Sequence, residues 1–167
     1  EPETEPSWYP FQLAFQLLTL ASVVNPRHED RETVDLIWFP TGGGKTEAYL
    51  AVAAFEMIHR RMTRGMRGGG TAVITRYTLR MLTAQQFQRA ATLICALELL
   101  RHEDPRLRAS PEFTIGLWVG SPSTPNSYAE AFATAKNLLS ASEPDSPFQI
   151  AVCPWCGTPM FPRRRSS

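Results

Sequence analysis

The sequence predicts an α/β domain with a mostly parallel sheet flanked by helices. Three observations predict it. Short β-branched or apolar runs alternate with long stretches of helical periodicity. The first run, residues 34–39 (VDLIWF), is mostly apolar, as a strand buried on both faces must be. A glycine-rich turn, Pro40–Gly44, then leads from that run straight into a helical pattern.

The elements follow in order. Residues 1–9 form an acidic, proline-bearing lead-in that we expect to be disordered, and it lacks the apolar core of a signal peptide. Residues 10–24 have helical spacing with Pro10 in the first turn, and Asn25-Pro26 stops them. A charged loop over 27–33 precedes the strand at 34–39, and the helix after the glycine turn runs through about Met62. Arg64–Gly70 is a flexible loop, and residues 71–75 (TAVIT) make a second strand. Residues 79–101 make a long amphipathic helix through Leu82, Phe87, Leu93, Ile94, Leu97 and Leu100. A polar linker over 102–111 leads to a third strand at 112–119, a loop at Gly120–Asn126 and a helix at 127–140. Residues 148–152 read as a fourth strand that opens into Cys153. The expected division is a lead-in at 1–9, a nucleotide-binding part at 10–150, and a cysteine knuckle with a basic tail at 151–167.

Composition narrows the function classes. The 167 residues suffice for one domain with its own core. A net charge of +1 gives no bulk argument for nucleic-acid binding, so local basic positions must carry one. No apolar run reaches the roughly 18 residues of a membrane span. Three cysteines are too few for a disulfide framework, and Cys95 reads as a small buried hydrophobe, so a reducing, cytoplasmic setting is expected. The chain has no initiator Met, which predicts a piece of a longer protein or a processed chain.

Residues 39–46 read Phe-Pro-Thr-Gly-Gly-Gly-Lys-Thr. Three glycines let the backbone turn tightly and aim its N–H groups at one place, and the following helix adds the positive end of its dipole. Such a P-loop holds the β- and γ-phosphates of ATP. Thr41, Gly42, Gly43 and Gly44 would form the cradle, Lys45 would neutralise phosphate charge, and the Thr46 hydroxyl would bind Mg²⁺. The rival reading is a strand–helix turn with no ligand.

The Pro-Thr-Gly-Gly-Gly-Lys-Thr wording resembles superfamily-2 helicases, although Phe39 stands where the general pattern has Gly. That resemblance implies a RecA-like P-loop domain, here incomplete and representing only the first motor domain. It also implies a role for Gln12 in Pro10-Phe11-Gln12, where the family's Gln amide reads the adenine edge. The rival is an exposed helix residue. Arg76, Tyr77, Thr78 and Arg80 lie where the family grips the nucleic-acid backbone, with Tyr77 alternatively stacking on a base. The rival there is a helix capped by Thr78 with solvated arginines. Ser121 and Thr124, in the loop after the third strand, are further phosphate-contact candidates against a plain loop.

Cys153-Pro154-Trp155-Cys156-Gly157 has the spacing of half a zinc site, with a redox or structural thiol pair as the alternative. The chain offers no second ligand pair.

Four stretches, VDLIWFPTGGGKTEAYLAVAAF, TAVITRYTLRMLTAQQFQRAATLICALELLR, IGLWVGSPSTPN and CPWCGTPM, together resemble the helicase subunit of the bacterial DISARM anti-phage system. The resemblance runs from about Trp8 to Met160. It implies an ATP-dependent DNA helicase or translocase acting with a DUF1998-type partner and with the system's DNA methyltransferase. The chain has no Asp-Glu box to complete the Mg²⁺ site, no second motor domain and no arginine finger, so it should turn over little ATP alone. A motor subunit of another restriction-type system, or a non-hydrolysing nucleotide switch, would share the P-loop.

Overall fold

The computed structural model describes residues 7–40, 42–77, 80–119, 125–140, 150 and 152–160. Four helices carry it: α1 (Pro10–Val24), α2 (Lys45–Arg64), α3 (Arg80–Glu103) and α4 (Tyr128–Ser140). One-turn 3-10 helices stand at Glu29–Glu32 and Gly65–Gly68. The chain divides into two compact units, one of residues 1–76 with 96–113, the other of 77–95 with 114–167.

The α/β expectation, a RecA-like domain with a parallel sheet, is overturned. Among the described residues no strand forms, and the β pairing they show is one isolated antiparallel bridge, Val152 with Pro159. Residues 34–39, 71–75 and 112–119 do avoid the helical state, as their β-branched and aromatic content favours. A strand needs a neighbour to pair its N–H and C=O groups, and these runs have no ladder beside them. Many of their apolar side chains face water instead, Val34 at 91 % exposed, Trp38 at 90 % and Trp118 at 99 %, while Phe113 is buried. The apolar wording that reads as burial on both faces therefore reports residue preference and not sheet position. The expected fourth strand, 148–152, lies mostly outside the described residues, and Val152 joins the bridge.

The helices match their sequence signals. In the first unit α1 starts where Pro10 supplies a fixed φ at the first helical position. It ends at Asn25, whose N–H still bonds Ala21 O, because Pro26 disfavours the helical state at its predecessor. Helix α2 packs against α1 and buries Ala48 fully. Arg61 and Arg64 in its last turn suit the negative end of the helix dipole.

The expected polar linker at 102–111 is instead a packed turn. Leu107 is buried and Ser110 Oγ donates to Leu107 O. Arg106 forks onto Asp104 and holds that carboxyl down at about 2.

This turn brings Pro111–Phe113 back to the side chain of Arg61, which is only 5 % exposed. Its guanidinium donates to Pro111 O at 2.8 Å, Glu112 O at 2.6 Å and Met57 O at 3.3 Å. It also lies 3.8 Å from the centroid of the Phe113 ring. Burial lowers its affinity for the proton, while the Glu98 carboxylate works the other way. Glu98 accepts two N–H groups of Arg101 at 2.9 Å and the backbone N–H of Phe113. The Arg101 bond first, and the Phe113 N–H with it, hold the Glu98 carboxyl below the usual glutamate range, against the opposing cost of burial.

In the second unit α4 begins with a capping arrangement. Ser127 Oγ accepts from Glu130 N at 3.3 Å, and Glu130 reaches back to Asn126 N at 2.9 Å. The first part of α3 carries Thr92, whose single hydroxyl proton is shared between Gln88 O at 3.0 Å and Pro154 O at 2.9 Å.

Two outcomes follow. Arg61→Ala strands the carbonyls of Pro111 and Glu112 and uncovers the Phe113 ring, and should cost about 2–4 kcal/mol in urea denaturation. Arg61→Lys, which keeps charge but loses the fork, should fall between it and the parent. The second concerns acid. The folded-state pKa of Glu98 is depressed, so its contribution is present above the unfolded value of about 4.3 and is lost as pH falls through the folded value below it. Glu98→Gln should remove that part of the acid-side slope in a stability-against-pH series.

Candidate functional site

The glycine loop and the start of α2 form the candidate site, all within the first unit. Gly42 and Gly44 have φ of 81° and 85°, a left-handed conformation that side chains resist. Gly43 N donates to Pro40 O at 3.1 Å and closes the turn. Gly44 is the N-cap of α2 and brings no side chain to cap it, so the first N–H groups of the helix open on the loop. Glu47 in that first turn complements the dipole.

Lys45 folds back across the loop. Its ammonium donates to Phe39 O at 2.5 Å and to Pro40 O at 2.8 Å. The Thr46 hydroxyl accepts from Tyr49 OH at 3.4 Å, one helical turn on. The signal that Tyr49 meets Thr46 was its spacing of three along a helix. Thr41 lies outside the described residues.

Gln12 comes directly to the loop. It is 3 % exposed and its amide bridges two elements. Nε2 donates to Gly44 O at 2.7 Å, and Oε1 accepts from Tyr9 N at 2.8 Å, fixing the start of α1. One amide donates and accepts at once, leaving one N–H and one lone pair. Around it the rings of Tyr9, Phe11 and Phe39 stack in series, Phe11 and Phe39 with centroids 3.9 Å apart. Between α1 and residues 36–39 lies a mostly apolar cavity of about 300 Å³, lined by Phe11, Phe15, Leu18, Leu36, Trp38 and Phe39. The sequence reading did not foresee this aromatic wall, whose members are scattered among a helix and an extended run.

The expected nucleic-acid contacts divide. Arg76 is exposed at the end of the second extended run, and Tyr77 is half-buried at the start of the second unit. Arg80 opens α3. Thr78, Ser121 and Thr124 lie outside the described residues.

The cysteine pair sits in the second unit on a closed hairpin. Cys153 N donates to Thr158 O at 2.8 Å and Gly157 N donates to Cys153 O at 2.9 Å. Cys156 Sγ lies 3.1 Å from Thr158 Oγ1. The Thr158 hydroxyl, then the Thr158 backbone N–H, then the Cys153 thiol hold the Cys156 thiol below its usual pKa. The cysteines form no disulfide. Among the described residues no three metal-ligating side chains gather, and no helix is long and apolar enough to cross a membrane.

The loop geometry yields a coupling test. A Cβ at Gly42 meets open space, so Gly42→Ala should cost about 1 kcal/mol from backbone strain alone. A Cβ at Gly44 would come within 2.7 Å of Gln12 Nε2, so Gly44→Ala should cost about twice as much. Thermal denaturation should show that the excess vanishes in a Gln12→Ala background.

No protein-family model matches the chain. No solved structure matches it. It is 42 % identical over 161 residues to DISARM protein DrmA of Bacillus paralicheniformis. The match covers 90 % of this chain, and the chain spans 14 % of the length of that protein. Over nearly its whole length, then, the chain is similar to one segment of DISARM protein DrmA.

Proposed function

We propose that this chain is the nucleotide-binding segment of an ATP-dependent DNA helicase or translocase that serves DISARM defence against phage. The observation that carries the reading is the Pro40–Gly44 loop with two left-handed glycines, opening on an uncapped helix whose first residue, Lys45, lays its ammonium across the loop. Likeness to DISARM protein DrmA supports the defence setting.

In this reading the γ-phosphate of ATP displaces the carbonyls of Phe39 and Pro40 as partners of Lys45. The backbone N–H groups of Gly42–Gly44, with Thr41, wrap the β-phosphate, and the α2 dipole favours the charge. The Thr46 hydroxyl binds Mg²⁺. Gln12 holds the loop to α1 and, through its remaining N–H and lone pair, meets the adenine edge. Arg76, Tyr77, Thr78 and Arg80, with Ser121 and Thr124, contact the DNA backbone. An acidic pair and an arginine finger from outside residues 1–167 complete hydrolysis. The partners are DNA, a DUF1998-type subunit and the system's methyltransferase, in the cytoplasm.

The test is ATP hydrolysis by the native protein with and without single-stranded DNA, beside Lys45→Ala. DNA should stimulate the rate, and Lys45→Ala should lower it on the order of a hundredfold or more, several kcal/mol of transition-state stabilisation. ATP binding without hydrolysis under either condition would leave a nucleotide switch in place of a motor.

A further inference from the structure

The Cys153–Cys156 hairpin is independent of the nucleotide loop, and nothing in the proposed ATPase cycle uses it. Its backbone is already closed. The Cys153 N–H bonds Thr158 O, the Gly157 N–H bonds Cys153 O, and Val152 pairs with Pro159. Gly157, at φ 73°, takes the left-handed turn that lets the second cysteine face back toward the first. The Cys153 thiol lies within hydrogen-bonding reach of Cys156.

Two further contacts fix the hairpin. The Pro154 carbonyl accepts from Thr92 Oγ1 of α3 at 2.9 Å, which anchors the tip of the turn to a helix of the same unit. The Thr158 hydroxyl stands 3.1 Å from Cys156 Sγ, where it can donate to a thiolate. A CxxC that cycles between dithiol and disulfide characteristically stands at the start of a helix, whose dipole steadies the attacking thiolate. Here the pair lies between two short extended arms, with no helix opening at Cys156.

We propose that Cys153 and Cys156 form a two-thiolate clamp for one soft divalent cation of the zinc class. Zinc takes thiolate sulfur at about 2.3 Å in a tetrahedron, and a two-residue spacing on a tight turn presents two such sulfurs to one ion. Turn N–H and hydroxyl donors that point at sulfur then share its charge with the metal. Cys95 does not join the pair, and no third ligand gathers among the described residues. The clamp therefore supplies two of the four positions of the tetrahedron. Metal binding would lock a segment that Thr92 ties to α3, making the ion a staple of the second unit.

The test uses the native protein purified without chelator. Zinc by plasma mass spectrometry should be stoichiometric, and the Cys153→Ser/Cys156→Ser protein should lose one site. Cobalt in place of zinc should give near-ultraviolet thiolate charge-transfer absorption that each single serine variant weakens. Should the variants fail to fold, unmutated protein still decides. Alkylation at Cys153 and Cys156, read by peptide mass, should be slow as purified and about tenfold or more faster after a strong chelator. Equal zinc in parent and double variant would overturn the clamp. So would fast alkylation that ignores the chelator, or a Cys153–Cys156 disulfide in metal-free protein as isolated.

Discussion

The first unit hangs on one buried cation. Arg61 leaves water only because five groups receive it: three carbonyls, the Phe113 ring and, at longer range, the Glu98 carboxylate. Those groups come from α2, from α3 and from the segment that returns after α3, so a single fork gathers pieces some fifty residues apart in sequence. Glu98 completes the arrangement by taking the Phe113 N–H, which would otherwise lie beside a positive charge and lack an acceptor. An isolated cation in such a place would be costly. With these partners it ties the last turns of α2 to residues 111–113.

At that other end a neutral amide does the corresponding work. Gln12 ties the first turn of α1 to the carbonyl of Gly44, so the two halves of the candidate site cannot drift independently. The aromatic rings of Tyr9, Phe11 and Phe39 follow the same line. Lys45 and Thr46 rest on local acceptors and donors, so the loop keeps its shape with its charged side chain folded inward.

Helices were legible in the sequence because their signals are local. Pro10, Asn25-Pro26 and the glycines before Lys45 each act within a few residues of themselves, and α1 and α2 begin or end close to where those signals stand. The glycine loop was legible for the same reason. The sheet was misjudged because pairing is a property of two segments. Val34, Leu36 and Trp38 state a preference for extended backbone, yet no residue among 34–39 says which strand lies beside it. The Arg61 network was also invisible, since a surface-type residue on a helix gives no sign that a loop fifty residues later will close over it. Gln12 was singled out for an adenine contact, and its grip on Gly44 O adds a structural duty that the motif alone does not express.

The extended runs carry a colloidal consequence. Residues around Val34–Trp38, Ile74 and Trp118 present β-prone, weakly charged stretches to water, the composition from which intermolecular cross-β contacts nucleate. A net charge of +1 offers little long-range repulsion to keep copies apart. Association between copies would then begin at these three ribbons. Concentration and ionic strength should govern its handling more than temperature does.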